Sequence, residues 1–263
     1  MSEKRKFTKL ADGVTLIKGI DFECCIWLVE GSESALLIDT GLGIGNLREE
    51  VENYTKLPYK VVNTHGHGDH SGGNFEFDEV YMHEGALEAA KIAPEMAKRF
   101  AAPGEMEAMY KRIEEQPAKL NFISEGFVFD LGSRKLEVFE VPGHTPGDIA
   151  LYDRENGLLF SGDCMLKAMD VLLVVPQTIT VECYAKSIHK LAALEGVKGF
   201  CSGHDQCIMP RSFLVDCMNC ADAILDGTSN GCEIESHLPD GEKYCMRATS
   251  GDAAIMYRSY KIR

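Results

Sequence analysis

Residues 64–73 read Thr-His-Gly-His-Gly-Asp-His-Ser-Gly-Gly, and within them His65, His67, Asp69 and His70 put four potential metal ligands into six positions. Imidazole nitrogen and carboxylate oxygen are donors that suit zinc and also accept manganese or iron, so the cluster specifies a divalent ion more firmly than its identity. Gly66 and Gly68, lacking a Cβ, let the backbone fold tightly around a small centre. Any single histidine is most often an ordinary core or surface residue, but the ensemble argues otherwise. Of the 8 histidines, five fall in this cluster or directly after strand-like runs, the outliers being His144 and His204. His83, His189 and His237 are left as bystanders.

Working outward, the cluster follows a short apolar run, Tyr59 to Asn63, and the same grammar recurs. Ala35 to Ile38 stops at Asp39-Thr40-Gly41, Leu136 to Val141 at Pro142-Gly143-His144, Leu158 to Phe160 at Ser161-Gly162-Asp163, and Val197 to Cys201 at Ser202-Gly203-His204. Loops at the carboxyl ends of strands carry ligands in layered α/β folds, so the five clusters are expected along one sheet edge. Helical spacing covers Leu47 to Tyr54, Gly85 to Ala97 and Tyr184 to Leu194. The stretch from Glu84 to Phe127, interrupted by Pro94, Pro103 and Pro117 and carrying Met96, Met106 and Met109, reads as a helical insertion over the site. From Asp240 to Arg263 a closing hairpin is expected, turning at Ser250-Gly251-Asp252.

THGHGDHSGG at 64–73, with LLIDTG at 36–41 before it and VPGHTPGD at 141–148, FSGD at 160–163 and CSGH at 201–204 after it, resembles the motif set of the metallo-β-lactamase superfamily in order and approximate spacing. The resemblance spans residue 14 to about 205. It implies an α/β fold of the αββα four-layer type, two mixed β-sheets flanked by helices, here as a single domain over 1–263 with the helical insertion at about 84–127. It further implies two divalent metal ions: one on His65, His67 and His144, the other on Asp69, His70 and His204, with Asp163 bridging them. Asp39 is implied as a buried carboxylate supporting the ligands, although the residues alone equally allow a turn role in Asp-Thr-Gly. Two ions about 3.5 to 4 Å apart share a water, lower its pKa toward roughly 7 and so present hydroxide to a carbonyl or phosphoryl group. Asp69 would act catalytically by orienting that water or relaying its proton.

Weaker features are weighed against their ordinary readings. Lys167, four residues after Asp163, is a candidate for an anionic substrate group or a solvated lysine; Tyr184 is a candidate oxyanion donor or part of a surface helix. Cys217 and Cys220 form a C-x-x-C without a second pair, and Cys164 adjoins Asp163; all three are expected to pack as small hydrophobes. The insertion's methionines fit core filling or an adjustable apolar cover.

With 263 residues the chain can build a large core without staples, and a net charge of −14 disfavours a nucleic-acid partner. The N-terminus lacks an apolar segment after its charges, and no run approaches a membrane span, which suggests a cytoplasmic protein with its 10 cysteines reduced. The expected function is a binuclear hydrolase of a small ester, thioester or lactone, with zinc favoured and iron or manganese open. The alternatives are an iron-dependent sulfur dioxygenase, a β-lactam or phosphodiester hydrolase, and a non-catalytic metal-binding module. The resemblance argues against a β-lactamase, whose family pattern has cysteine or serine where this chain has Asp163. Glyoxalase II is nearest in motif wording, but its glutathione-binding features are not recognisable after His204.

Overall fold

The computed structural model describes residues 4–19, 23–102, 104–115, 118–236 and 242–263. Pro103, Pro117, His237 and Asp240 therefore lie outside the described residues. The chain divides into two compact units, 1–138 and 139–263.

In the first unit the elements run β1 (Lys6–Ala11), β2 (Val14–Lys18), β3 (Ile26–Glu30), β4 (Ala35–Ile38), α1 (Leu47–Tyr54), β5 (Tyr59–Val62), α2 (Gly68–Ser71), β6 (Glu79–Met82), α3 (Leu87–Ile92), α4 (Pro94–Ala97), α5 (Glu105–Glu115), β7 (Lys119–Phe122), β8 (Val128–Asp130) and β9 (Lys135–Glu140). A seven-stranded sheet is ordered β1 to β7, antiparallel through β4 and parallel from there on. Its mixed character follows the connections: a two-residue turn suffices for the antiparallel pair β1 and β2, whereas a parallel neighbour needs a crossover such as α1. Ile17, Ile26, Leu28, Leu37, Val61 and Val80 share one core with Leu47 and Val51 of α1. Asn46 caps α1 by accepting from the Glu49 amide at 3.1 Å. The pairing of Ile38 with Val62 in parallel register brings the loops after β4 and β5 out at the same edge.

The second unit contains β10 (Ile149–Asp153), β11 (Leu158–Gly162), β12 (Val171–Leu173), α6 (Val181–Ala192), β13 (Gly199–Ser202), β14 (Met209–Pro210), α7 (Ser212–Leu225), β15 (Cys232–Glu235), β16 (Tyr244–Ser250) and β17 (Ala253–Tyr257). One sheet contains β14-β13-β11-β10 in that order; another is ordered β12-β17-β16-β15. Helices α6 and α7 bury Ile188, Leu191, Phe213, Leu214 and Cys217 in this unit's core. Strands β11 and β13 are parallel, Phe160 facing Cys201, so Asp163 and His204 leave the sheet at the same end.

The expected strands all form, and Leu47–Tyr54 is a helix with the expected bounds. The C-terminal hairpin is also present: Ser250 pairs with Ala253 across Gly251 and Asp252, and Gly251 takes φ +54, which glycine adopts without penalty. Two expectations are corrected. The pattern from Gly85 to Ala97 is not one helix, because Pro94 has no N–H to give and opens α4 instead of continuing α3. The 84–127 segment is not helical throughout: Lys119–Phe122 is a strand, pairing with β6 as the sheet's last member. Among the described residues no helix is long and apolar enough to cross a membrane.

Candidate metal centre

The first group of ligand candidates is built by the loops after β4 and β5. His67 opens the short helix α2, and its carbonyl accepts from the His70 and Ser71 amides at 3.0 and 2.9 Å. That turn brings His65, His67, Asp69 and His70 together: His65 Nε2 lies 3.1 Å from His67 Nδ1, the His65 and His70 rings are 4.1 Å apart by centroids, and Asp69 Oδ2 is 3.6 Å from His70 Nε2.

Asp39 lies behind these residues, 1 % exposed, with φ +66. This left-handed conformation costs a non-glycine residue about 1 kcal/mol, least for aspartate and asparagine. Hydrogen bonds offset it. The Asp39 carboxylate accepts from the Thr64 amide at 2.8 Å, from Thr64 Oγ1 at 2.9 Å and from His70 Nδ1 at 2.8 Å. The His70 carbonyl is held in turn by Thr40 N at 2.7 Å, Thr40 Oγ1 at 3.1 Å and Asn63 Nδ2 at 3.1 Å. With its Nδ1 proton on Asp39, the His70 imidazole has Nε2 as its ligand end, the tautomer that metal-bound histidines require.

In the second unit His144 Nδ1 donates to the Leu172 carbonyl at 2.8 Å, again directing Nε2 outward. His144 Nε2 and His204 Nε2 lie 3.7 and 3.4 Å from Asp163 Oδ2. The turn into Asp163 passes through Gly162 at φ +50. Asp148 accepts from Thr145 N and Oγ1 and so folds the loop that carries His144; burial pushes its carboxyl up to about 6. Asp205 joins two loops: Oδ2 accepts from Ser202 Oγ at 2.7 Å and from the Lys167 amide at 3.0 Å, while Oδ1 accepts from the Ala168 amide at 2.8 Å.

Each unit thus presents imidazoles and a carboxylate at hydrogen-bonding or slightly longer separations, a donor set suited to zinc, iron or manganese. Cys24, Asp39 and His70 form another group close enough to share an ion. Burial pushes the Cys24 thiol well up, which disfavours its thiolate.

The weaker candidates fare differently. The Lys167 ammonium, exposed, is paired with Asp252. Tyr184 is 0 % exposed and packs in the α6/α7 core, with Gly143 hard against its backbone, which removes the expectation of a surface helix position. Cys164, Cys217 and Cys220 are buried as expected, and burial raises all three thiols. His83 accepts from the Gly85 amide, and His189 meets Asp222. Asp148 and Asp205 were missed by sequence reasoning; the signal available was their spacing, three residues after Thr145 and Ser202, the reach of an aspartate closing a turn.

The sequence pattern of the metallo-beta-lactamase superfamily matches residues 20–195. An acyl-coenzyme A thioesterase of Homo sapiens is 34 % identical over 180 residues, covering 59 % of this chain and 64 % of that protein. A hydroxyacylglutathione hydrolase of Haemophilus influenzae is 28 % identical over 149 residues, covering 54 % of this chain and 66 % of its own length. The chain therefore spans a little under two thirds of these relatives. Among solved structures, a metallo-beta-lactamase family protein from Thermus thermophilus superposes with TM-score 0.60 at 22 % identity, covering 82 % of each chain. A metallo-beta-lactamase from Pontibacter korlensis gives TM-score 0.61 at 20 % identity, covering 83 % of this chain and 99 % of the other. At these identities the likeness speaks for the fold, an α/β arrangement of mixed sheets with flanking helices.

Proposed function

Since the chain belongs to the metallo-beta-lactamase superfamily, whose pattern covers more than half of it, we propose that it is a metal-dependent hydrolase acting on a small thioester or related acyl compound. The ligands in this reading are His65, His67 and His144 for one divalent ion, and Asp69, His70 and His204 for the other, with Asp163 shared. The observation that carries it is the orientation of the imidazoles. His70 and His144 each have Nδ1 tied to a carboxylate or carbonyl, and Nε2 faces a second candidate ligand, Asp69 at 3.6 Å and Asp163 at 3.7 Å, which is how metal-binding histidines are oriented.

Bound there, two divalent ions would supply an activated water and an electrophile for the substrate carbonyl. The chain's own contribution is positional. Asp69 sits in the first turn of α2 beside His70 Nε2, where its carboxylate would orient the attacking water and take its proton. Asp39 and Thr64 hold the first ligand set, Asp148 and Asp205 the loops of the second. Lys167 and Tyr184 are given no substrate contact, because one is paired at the surface and the other enclosed. The names of the two relatives, both thioester hydrolases, favour a thioester over a lactone or simple ester.

The test is elemental analysis of protein purified without chelator, followed by turnover of a thioester, ester, lactone, phosphodiester and β-lactam panel. Two divalent ions per chain and a preference for the thioester are expected. A preparation loaded with one iron and no zinc would favour the dioxygenase reading, and a phosphodiester outperforming every acyl substrate would overturn the substrate class.

A further inference from the structure

The loop that carries Asp39 is fastened by a charge pair with no part in the ligand assignment. Arg5 and Glu23 are 8 % and 0 % exposed. Arg5 Nε donates to Glu23 Oε2 at 3.0 Å and Nη2 to Oε1 at 2.6 Å. The same Nη2 donates to the Ile44 carbonyl at 2.8 Å, and the Leu42 amide donates to Glu23 Oε1 at 3.4 Å. A Cβ on Gly41 would lie 2.3 Å from Glu23 Oε1, so carboxylate and backbone are in direct contact.

The loop needs such a tether. Gly41, Gly43 and Gly45 all take positive φ, at +69, +78 and +88, so three of the five residues bring no side chain of their own to hold the loop. Asp39 and Thr40, immediately before them, hold His70 through its imidazole and its carbonyl. Burying two ions is costly, and their main value is often in specifying one arrangement.

We propose that the Arg5–Glu23 pair is a positioning device for His70, fixing residues 41–44 so that the Asp39 carboxylate stays aligned with His70 Nδ1. The proposal rests on His70 being a metal ligand. The pair acts through the loop and touches neither ion nor substrate.

Two variants of the full chain test it. Glu23→Gln keeps the shape and an acceptor for the Leu42 amide while removing the charge. The double variant Arg5→Met with Glu23→Leu removes both charges together, so that neither is left buried without the other, although Glu50, 3.5 Å from Arg5 and 20 % exposed, loses a partner. Zinc affinity is read by chelator competition, the thermal midpoint on zinc-free protein, and the His70 Nδ1 proton by NMR in the zinc-free state. The double variant should keep a midpoint near that of the parent yet lose about tenfold in zinc affinity, the range seen when outer support of a ligand is removed. Its His70 Nδ1 proton signal should broaden. Glu23→Gln should lose zinc affinity several-fold. Parent-like affinity and an unchanged His70 signal in both variants would overturn the proposal, and if the double variant does not fold, the same result in Glu23→Gln alone overturns it. A parent protein that takes up no divalent ion would count against the ligand assignment instead, while the His70 proton signal would still report on the tether.

Discussion

At the scale of single residues, strain and burial fall where a side chain holds a loop. Asp39 accepts an unfavourable backbone conformation because three hydrogen bonds reward it, and each runs to the ligand-bearing segment. Glu76, just after that segment, is a second case. It is buried, Oε2 accepts from the Arg48 amide in the first turn of α1 at 2.9 Å, and Oε1 has no hydrogen-bond partner among the described residues. Burial pushes its carboxyl from 4.5 up to about 7, against the opposing pull of the Arg48 amide, Arg5 and Arg112. The folded state therefore binds this proton more tightly than the unfolded chain, and Glu76's contribution to stability falls as pH rises from about 4.5 to about 7. Over that window the loss is on the order of 3 kcal/mol. Glu76→Gln keeps an acceptor for Arg48 without the charge, so urea unfolding at pH 5 and pH 8 should show the variant losing about 1–3 kcal/mol less than the parent between the two. Parallel behaviour of the two proteins would refute this account.

At the scale of elements, the helices between Leu87 and Glu115 act as a buttress more than a cover. Met109 is buried with Leu42, Ile44 and Ala97, and Met96, Met106 and Phe100 pack against the same cluster, so the methionines fill a local core. Gly66 and Gly68 are not at positive φ. They are glycines because the helical segment comes so close: a Cβ on Gly66 would lie 2.2 Å from the Ala86 carbonyl, and one on Gly68 would lie 2.6 Å from Met96 Cβ and 2.7 Å from the Ala93 carbonyl. Backbone atoms cannot move aside as a flexible side chain can. Gly68→Ala is therefore expected to cost about 1–3 kcal/mol and to lower the thermal midpoint of zinc-free protein by several degrees. An unchanged midpoint would mean that α4 yields easily, and that its contact with the ligand loop is loose.

At the scale of the whole molecule, the net charge of −14 favours cations. Ions bound by the proposed ligands would stabilise the folded chain by mass action, by about 2.7 kcal/mol at a free zinc concentration one hundred times the dissociation constant. A rise of several degrees in thermal midpoint on adding zinc to chelator-stripped protein is expected. Asp163→Ala, which removes the shared ligand, should reduce that rise more than His204→Ala, with the zinc-free midpoints little changed. An equal zinc-induced rise in parent and Asp163→Ala would remove Asp163 from the ligand set.

The sequence by itself determined whatever depends on neighbours along the chain. The run Ala35–Ile38, the amphipathic spacing of Leu47–Tyr54 and the turn at Gly251-Asp252 are short-range patterns, and the order and spacing of the His/Asp motifs pointed to the superfamily before any geometry was available. Tertiary structure decided what depends on residues far apart. Lys119–Phe122 has little strand character of its own and becomes a strand because β6, 40 residues earlier, offers an open parallel edge. The glycines of the ligand motif are required by helical segments that follow them by about 20 to 30 residues, not by the turn they lie in. Tyr184 looked like the start of a surface helix, yet it is buried because α7, some 30 residues on, covers it. Nothing local marks Arg5 and Glu23 for burial; they are enclosed because the loop at 41–44 folds against them. A local pattern records which backbone conformation a segment prefers, whereas close approach and burial are properties of the space between segments, and that space exists only once the chain has folded.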